Sequence, residues 1–183
     1  MGFLYRPRGT SATMTESSHA PDRGLFSLAQ IQHLMRVEFN RAQRYDYPIV
    51  CMMIAVDRLG HLRDLYGYEA KEEILGAVVK LLMRETRSSD FLGRMADDRL
   101  LAVVPHTGRM GGESLAIRLL AQARDLEFES DGRTIGVTLS IGSSNNEGGA
   151  TLFFDAMLQA SEHALHRAQQ SSGDRHEVQA PGA

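Results

Sequence analysis

From Leu25 onward the apolar positions switch repeatedly between helical and strand-like spacing. Leu28, Ile31, Leu34, Met35 and Phe39 recur at helical intervals and predict a helix to about Arg44, with Ser27 and Gln30 spaced as a capping box at its start. Residues 45–48 break it. Residues 49–56 are apolar without interruption, the pattern of a strand covered on both faces. A short helix is predicted over 59–66, ending at Gly67, and a longer one from Glu69 to about Arg87 with a stripe of Ile74, Leu75, Val78, Leu81 and Leu82. Strands at about 91–95 and 100–105 form a hairpin. Gly111 and Gly112 precede a helix to about Asp125 that carries Leu115, Ile117, Leu119 and Leu120. Residues 133–143 read as one strand, 145–149 as a loop, 151–170 as a long helix and 176–179 as an edge strand. Such interleaving predicts an α+β fold: a mostly antiparallel five-stranded sheet flanked by helices, of the ferredoxin-like type.

Residues 1–24 are polar and rich in Ser, Thr, Pro and Arg, and are expected to be a disordered tail, with Met14 an alternative start. Residues 25–179 form the expected domain and 180–183 a second tail. The 183 residues, 43% of them apolar, suffice for one core. A net charge of −3 argues against a nucleic-acid grip or a polybasic membrane patch. Cys51 has no second cysteine to pair with and lies in an apolar run, as a small hydrophobe would. Neither a secretory leader nor a membrane span is legible, so a soluble cytoplasmic protein is expected.

Chemistry concentrates in residues 87–105. Arg87-Ser88-Ser89-Asp90 is followed by Phe91-Leu92-Gly93-Arg94-Met95, then Ala96-Asp97-Asp98-Arg99-Leu100, then an apolar run to Pro105. This stretch resembles the signature of GGDEF domains, the nucleotidyl cyclase-like fold of diguanylate cyclases, in which an RxxD inhibitory site precedes an R-[YF]-G-G-[DE]-E-F hairpin. Four further landmarks keep the family's order: Asp57 at the end of an apolar strand; Asp64-Leu65-Tyr66-Gly67-Tyr68; Ser140-Ile141-Gly142; and Ala164-Leu165 with Ala168. The resemblance covers residues 28 to 178.

Family catalysis implies two GTP molecules on two subunits and a metal pair, which demands hard oxygen ligands. The position of the first metal carboxylate is Ala55, which has no ligand atom; the second is Asp98. The two glycines that let backbone approach phosphate are Ala96 and Asp97, and the fourth hairpin letter is reversed in charge, to Arg99. The family's guanine-reading asparagine falls on Arg63, its partner aspartate on Glu72, and a phosphate-contacting lysine on Gln169. The resemblance therefore implies a site that is not an enzyme's, with no cofactor and no metal.

The RxxD pair is retained. Arginine can donate twice to the O6 and N7 edge of guanine, and aspartate can accept from the opposite edge. Arg at i and Asp at i+3 is also a common surface ion pair of little energetic value, and Arg94 to Asp97 repeats the spacing. Register separates the two copies: Arg87 and Asp90 stand at the inhibitory-site position, and Arg118 and Arg41 fall where the family recruits further arginines. The expected function is that of an inactive cyclic di-GMP receptor binding at Arg87, Asp90, Arg118 and Arg41. It would regulate an unidentified protein partner, through ligand-mediated homodimerisation or docking. Two alternatives stand beside it: a ligand-independent interaction module on the same fold, and residual cyclase activity with Asp57 and Asp98 as a rearranged metal pair. The histidines show no metal-ligand spacing, and Gly111-Gly112 is expected to be a loop hinge.

Overall fold

Ser27 starts the first helix by the chemistry its spacing implies. In the computed structural model, which describes residues 4–7, 25–130, 132–147 and 153–182, the Ser27 hydroxyl accepts from Gln30 N–H at 3.4 Å while Gln30 Oε1 accepts from Ser27 N–H at 2.8 Å. Helix α1 (Leu28–Tyr45) ends where Asp46 adopts the left-handed conformation, φ 52°. Strand β3 (Ile49–Val56) follows and is buried along its whole length. Two earlier strands are short, β1 (Leu4–Pro7) and β2 (Phe26–Ser27). Helix α2 (Leu59–Glu85) contains the expected interruption at Gly67, whose φ of 91° suits a residue without Cβ.

The hairpin strands β4 (Phe91–Arg94) and β5 (Leu100–Pro105) lead to α3 (Arg109–Arg124). Next come β6 (Leu126–Ser130), β7 (Arg133–Gly136), β8 (Leu139–Asn145), α4 (Phe154–Gln170) and β9 (Arg175–Val178).

The main sheet runs β2-β4-β5-β3-β8-β9, with antiparallel pairing in the middle and parallel pairing at both edges. Period-two alternation divides the core. Val50, Met52 and Ile54 face α2 and α3, while Ile49, Cys51, Met53 and Ala55 face α1 and α4. On β8, the backbone of α4 at Ser161 and Leu165 occupies the space a Cβ on Gly142 would need. Close helix–sheet approach therefore sets the residue type there.

Several expectations are corrected. The sheet has six strands rather than five, because Phe26–Ser27 pairs parallel with β4 before entering α1. Residues 133–143 are not one strand. The chain leaves β7 at Gly136 and joins the main sheet at Leu139, and between them the Thr138 carbonyl accepts from Asp57 N–H at 2.9 Å. Strand β6 was not anticipated; it pairs with β7 and β1 in a second, three-stranded sheet. Residues 4–7 are thus a paired strand within the supposed tail, while 1–3 and 8–24, including Met14, lie outside the described residues. Gly111 and Gly112 are no hinge but part of the first turns of α3, where a Cβ on Gly112 would come within 3.0 Å of both Val50 methyls. Ile117, expected in the apolar stripe of α3, is 64% exposed.

Candidate functional site

The β4–β5 turn is closed by backbone bonds from Asp98 N–H to Met95 O (3.2 Å) and from Met95 N–H to Arg99 O (2.8 Å). Asp98 takes the left-handed position, φ 66°, which a short polar side chain tolerates better than most. Register places this turn beside the C-terminal end of β3: Arg94 faces Leu100, and Leu100 faces Ile54. A groove of about 530 Å³ opens here, lined by Ala55, Arg58, Gly60, Asp97, Arg99 and Gln169 among others. The structure thus brings together Ala55, Asp97, Asp98, Arg99 and Gln169, as the resemblance implied. Arg63 lies apart, exposed on α2 and bonded to its neighbour Asp64 at 2.8 Å.

The charges at the hairpin turn are paired with one another. Arg94 binds Glu72 through both terminal nitrogens, at 3.0 and 2.9 Å, and reaches Asp98 through Nε at 3.1 Å and through Nη2. Lys71 Nζ lies 2.7 Å from the other Asp98 oxygen and 3.3 Å from Glu72, over the ring of Tyr68. Arg94 hydrogen bonding, supported by Lys71 and opposed by partial burial, brings the Glu72 carboxyl down to about 2. Partial burial pushes the Asp98 carboxyl up, but the bonds from Lys71 and Arg94 outweigh it and hold the group below its ordinary value. The bond to Asp98, aided by Glu72, raises the Lys71 ammonium, and Glu72 and Asp98 together raise the Arg94 guanidinium. Outside this quartet, Arg99 bonds Asp97 at 2.7 Å and Glu162 at 3.2 Å, tying the turn to α4.

Lys71 was not among the residues the sequence singled out, and Arg94 entered only as the start of a second RxxD-spaced pair. The Arg94–Asp97 repeat, which register had set aside, forms no ion pair: Arg94 binds Asp98 and Glu72 instead.

Asp57 performs a different task. Its carboxylate accepts from Thr138 Oγ1 at 2.7 Å, Ser140 Oγ at 2.6 Å and Asp174 N–H at 2.9 Å. It pins the end of β3 to β8 and to the α4–β9 connection. The donor set does not fit the metal pair the resemblance implies: Ala55 has no side-chain ligand atom, Asp98 is engaged by two cations and Asp57 by three donors. Among the described residues no group of three or more His, Cys, Asp or Glu side chains converges on a common point.

The RxxD turn lies beyond the other end of β4, about 13 Å of strand away at ~3.3 Å per residue. Here the arginine and aspartate meet through backbone, not as an ion pair. Arg87 N–H donates to Asp90 Oδ2 at 2.6 Å, and Asp90 N–H donates to Arg87 O at 3.1 Å. Asp90 is buried by this closure, whereas the Arg87 side chain is exposed and forms no ion pair with any described residue. The turn is anchored from behind by Thr86, buried and extended, whose hydroxyl donates to Leu82 O at 2.7 Å.

Arg118, on α3, reaches the same corner by donating to Glu85 Oε2 at 3.0 Å and Glu85 O at 3.3 Å. Arg41 is exposed and pairs with Glu38 at 3.5 Å. Its helix α1 covers the opposite face of the sheet from α3, so Arg41 and Arg118 flank the sheet from two sides.

Comparison with known proteins places this geometry. The family model for the diguanylate cyclase GGDEF domain matches residues 23–175. Diguanylate cyclase DgcP of Pseudomonas aeruginosa is 25% identical over 158 residues, 86% of this chain and 23% of its own length. Diguanylate cyclase DgcM of Escherichia coli K12 is 27% identical over 146 residues, 80% of this chain and 32% of its own length. The chain therefore spans only about a quarter to a third of these two relatives. Among solved structures, the active GGEEF domain of a Vibrio cholerae diguanylate cyclase superposes with a TM-score of 0.78 at 21% identity, covering 85% of this chain and 98% of that one. The GGDEF domain of DgcB from Caulobacter crescentus, in complex with c-di-GMP, gives 0.79 at 10% identity, covering 88% and 98%. No helix among the described residues is long and apolar enough to cross a membrane. By the family match and the shared fold, the chain belongs to the GGDEF domain family, related to the diguanylate cyclases.

Proposed function

We propose that this domain has lost cyclase chemistry and serves as a cyclic di-GMP receptor that regulates a protein partner. The observation that carries the reading is a contrast in availability. At the hairpin Lys71, Arg94 and Arg99 are each matched by a carboxylate, while Arg87 offers an exposed guanidinium on a turn rigidified by Asp90. A planar fork on a fixed backbone is what bidentate recognition of a guanine edge or a phosphate requires. Arg118 supports the site from within the chain. Arg41, on the other face of the sheet, suits a second subunit bridged by the ligand, whose stacked guanines would supply the dimerisation energy. The DgcB domain in complex with c-di-GMP is a relative of the same fold that holds this nucleotide.

Loss of catalysis follows from Ala55 and from the engagement of Asp98: no carboxylate stands at the first metal position, and the second is neutralised by Lys71 and Arg94. Calorimetric titration with cyclic di-GMP and, in parallel, with GTP and Mg²⁺ tests both halves. Micromolar or tighter binding of the dinucleotide and no turnover of GTP are expected. In Arg87→Ala, affinity should fall about a hundredfold, as when a charge-assisted pair is removed from a binding site, with the melting temperature unchanged. Cyclic di-GMP bound equally by this variant would remove the site assignment; product formed from GTP would remove the claim of inactivity.

A further inference from the structure

The corner formed by the end of α2 and the middle of α3 contains a carboxylate that the receptor reading leaves without a role. Glu85 is the last residue of α2, and its side chain is only 12% exposed. It accepts from Arg118 Nε at 3.0 Å and from Arg84 Nε at 3.2 Å, and its own carbonyl accepts from Arg118 Nη2 at 3.3 Å. Arg84 in turn donates to Gln122 on α3. Burial would push this carboxyl up, but the bonds from Arg118 and Arg84 prevail and hold it below its ordinary value, so it stays ionised at neutral pH.

The way Glu85 grips Arg118 is specific to one edge. Nε and Nη2 are both bonded to Glu85, while Nη1 makes no bond to any described residue, on a side chain that is 51% exposed. Arginine presents its donors in a rigid plane, so fixing one edge fixes where the other points. Thr86, held by its bond to Leu82, is the single residue between Glu85 and Arg87. The carboxylate that orients Arg118 is therefore rigidly linked to the turn that carries Arg87.

Taking the RxxD turn as the cyclic di-GMP site proposed above, we infer that Glu85 is a positioning residue for that site, holding Arg118 through Nε and Nη2 so that Nη1 is left for the ligand at the corner that carries Arg87. Its effect is to spend the ordering entropy of a long side chain in the folded domain rather than on ligand capture. Removing a negative charge near an anionic ligand acts in the opposite direction, by long-range attraction. Two substitutions separate the effects, since Glu85→Gln and Glu85→Ala both remove the charge but only glutamine keeps an oxygen that can accept from Arg118 Nε.

The test is cyclic di-GMP affinity by calorimetry for the unsubstituted domain, Glu85→Gln, Glu85→Ala, Arg118→Ala, and the Glu85→Gln and Glu85→Ala changes combined with Arg118→Ala, each with its melting temperature. Glu85→Ala should bind roughly two- to twelvefold more weakly than Glu85→Gln, the cost of ordering one rotamer-rich side chain. That difference should vanish once Arg118 is alanine, which a general loosening of the corner would not produce. Equal binding by Glu85→Ala and Glu85→Gln, or a difference that persists without Arg118, overturns the positioning role alone and leaves the receptor reading standing. No binding by the unsubstituted domain removes the receptor reading, and the role of Glu85 with it.

Discussion

Arg87 and Arg94 stand on either side of the same short strand, β4, and their surroundings are opposites. Arg94 has two carboxylates within hydrogen-bonding distance, each gripped through two nitrogens, and a neighbouring lysine completes a closed set of two cations and two anions. Arg87 has its backbone fixed by Asp90 and its guanidinium exposed. The same residue type is structural where its charge is already matched and available for recognition where it is not. Substitutions in the hairpin region should therefore appear as lost stability, and substitutions in the RxxD turn as lost binding. Any residue that moves both together breaks the distinction.

The largest effect is expected at Asp57. If it were one half of a rearranged metal pair, Asp57→Ala would leave the fold intact. Its three short hydrogen bonds predict otherwise, because Thr138, Ser140 and Asp174 N–H would lose their acceptor together. Donors stranded near the interior cost about 1–3 kcal/mol each when water cannot replace the partner, and partial access reduces the sum to about 3 kcal/mol. For a domain of this size that is a drop of roughly 6–12 °C in melting temperature. Thermal unfolding by circular dichroism would measure it. A variant that melts with the unsubstituted protein would show that Asp57 is not the anchor of this corner.

Arg94→Ala comes next. It leaves Glu72 and Asp98 with only Lys71, at sites about a third exposed or less. Solvent screening keeps the cost to about 1–2 kcal/mol, a shift of roughly 2–8 °C. Cyclic di-GMP affinity should stay within twofold of the unsubstituted protein, in contrast to the loss expected for Arg87→Ala. An Arg94→Ala variant that folds normally but no longer binds would place the ligand at the hairpin and reverse the assignment of the two regions.

Local signals account for what could be read in advance. The Ser27–Gln30 capping box, the unbroken apolar run of β3 and the helix break at Gly67 all act within a few residues, and each formed where its pattern pointed. The hairpin was legible for the same reason. The charge quartet was not, because Arg94 and Glu72 are 22 residues apart and Lys71 and Asp98 are 27 apart. Only the packing of α2 beside the turn brings them together. The sheet change at Thr138 was hidden in the same way: residues 133–143 alternate as a single strand would, and the partner that Thr138 takes between the two strands, Asp57, is 81 residues distant. Strand β6 did carry a readable sign, the alternation Leu126-Glu127-Phe128, with Leu126 and Phe128 both buried in the core. At the RxxD turn the sequence supplied the residue types and their register. It could not supply the Arg87 N–H bond to Asp90, or the grip of Glu85 on Arg118.

Acid titration distinguishes the two regions with the smallest effect. Glu72 is held at about 2 against an ordinary 4.5, chiefly by Arg94, and Asp98 is held below its ordinary value as well. A carboxylate whose folded pKa lies below its unfolded one contributes stability that is complete above the unfolded value and is lost as pH falls toward the folded value. The hairpin contribution should therefore be fully present at pH 6 and decline between about pH 5 and pH 2. Because Glu72 is about a third exposed, the decline is a modest part of the total acid sensitivity. Removing Arg94 takes away the main cause of the shift, so the melting temperature of Arg94→Ala should fall less steeply across this window, and the two curves should converge toward pH 2. Arg87→Ala leaves the quartet untouched and should track the unsubstituted protein at every pH. Parallel curves for Arg94→Ala and the unsubstituted domain would mean that Arg94 does not set the Glu72 titration, and that the hairpin charges are less tightly matched than the contrast with Arg87 requires.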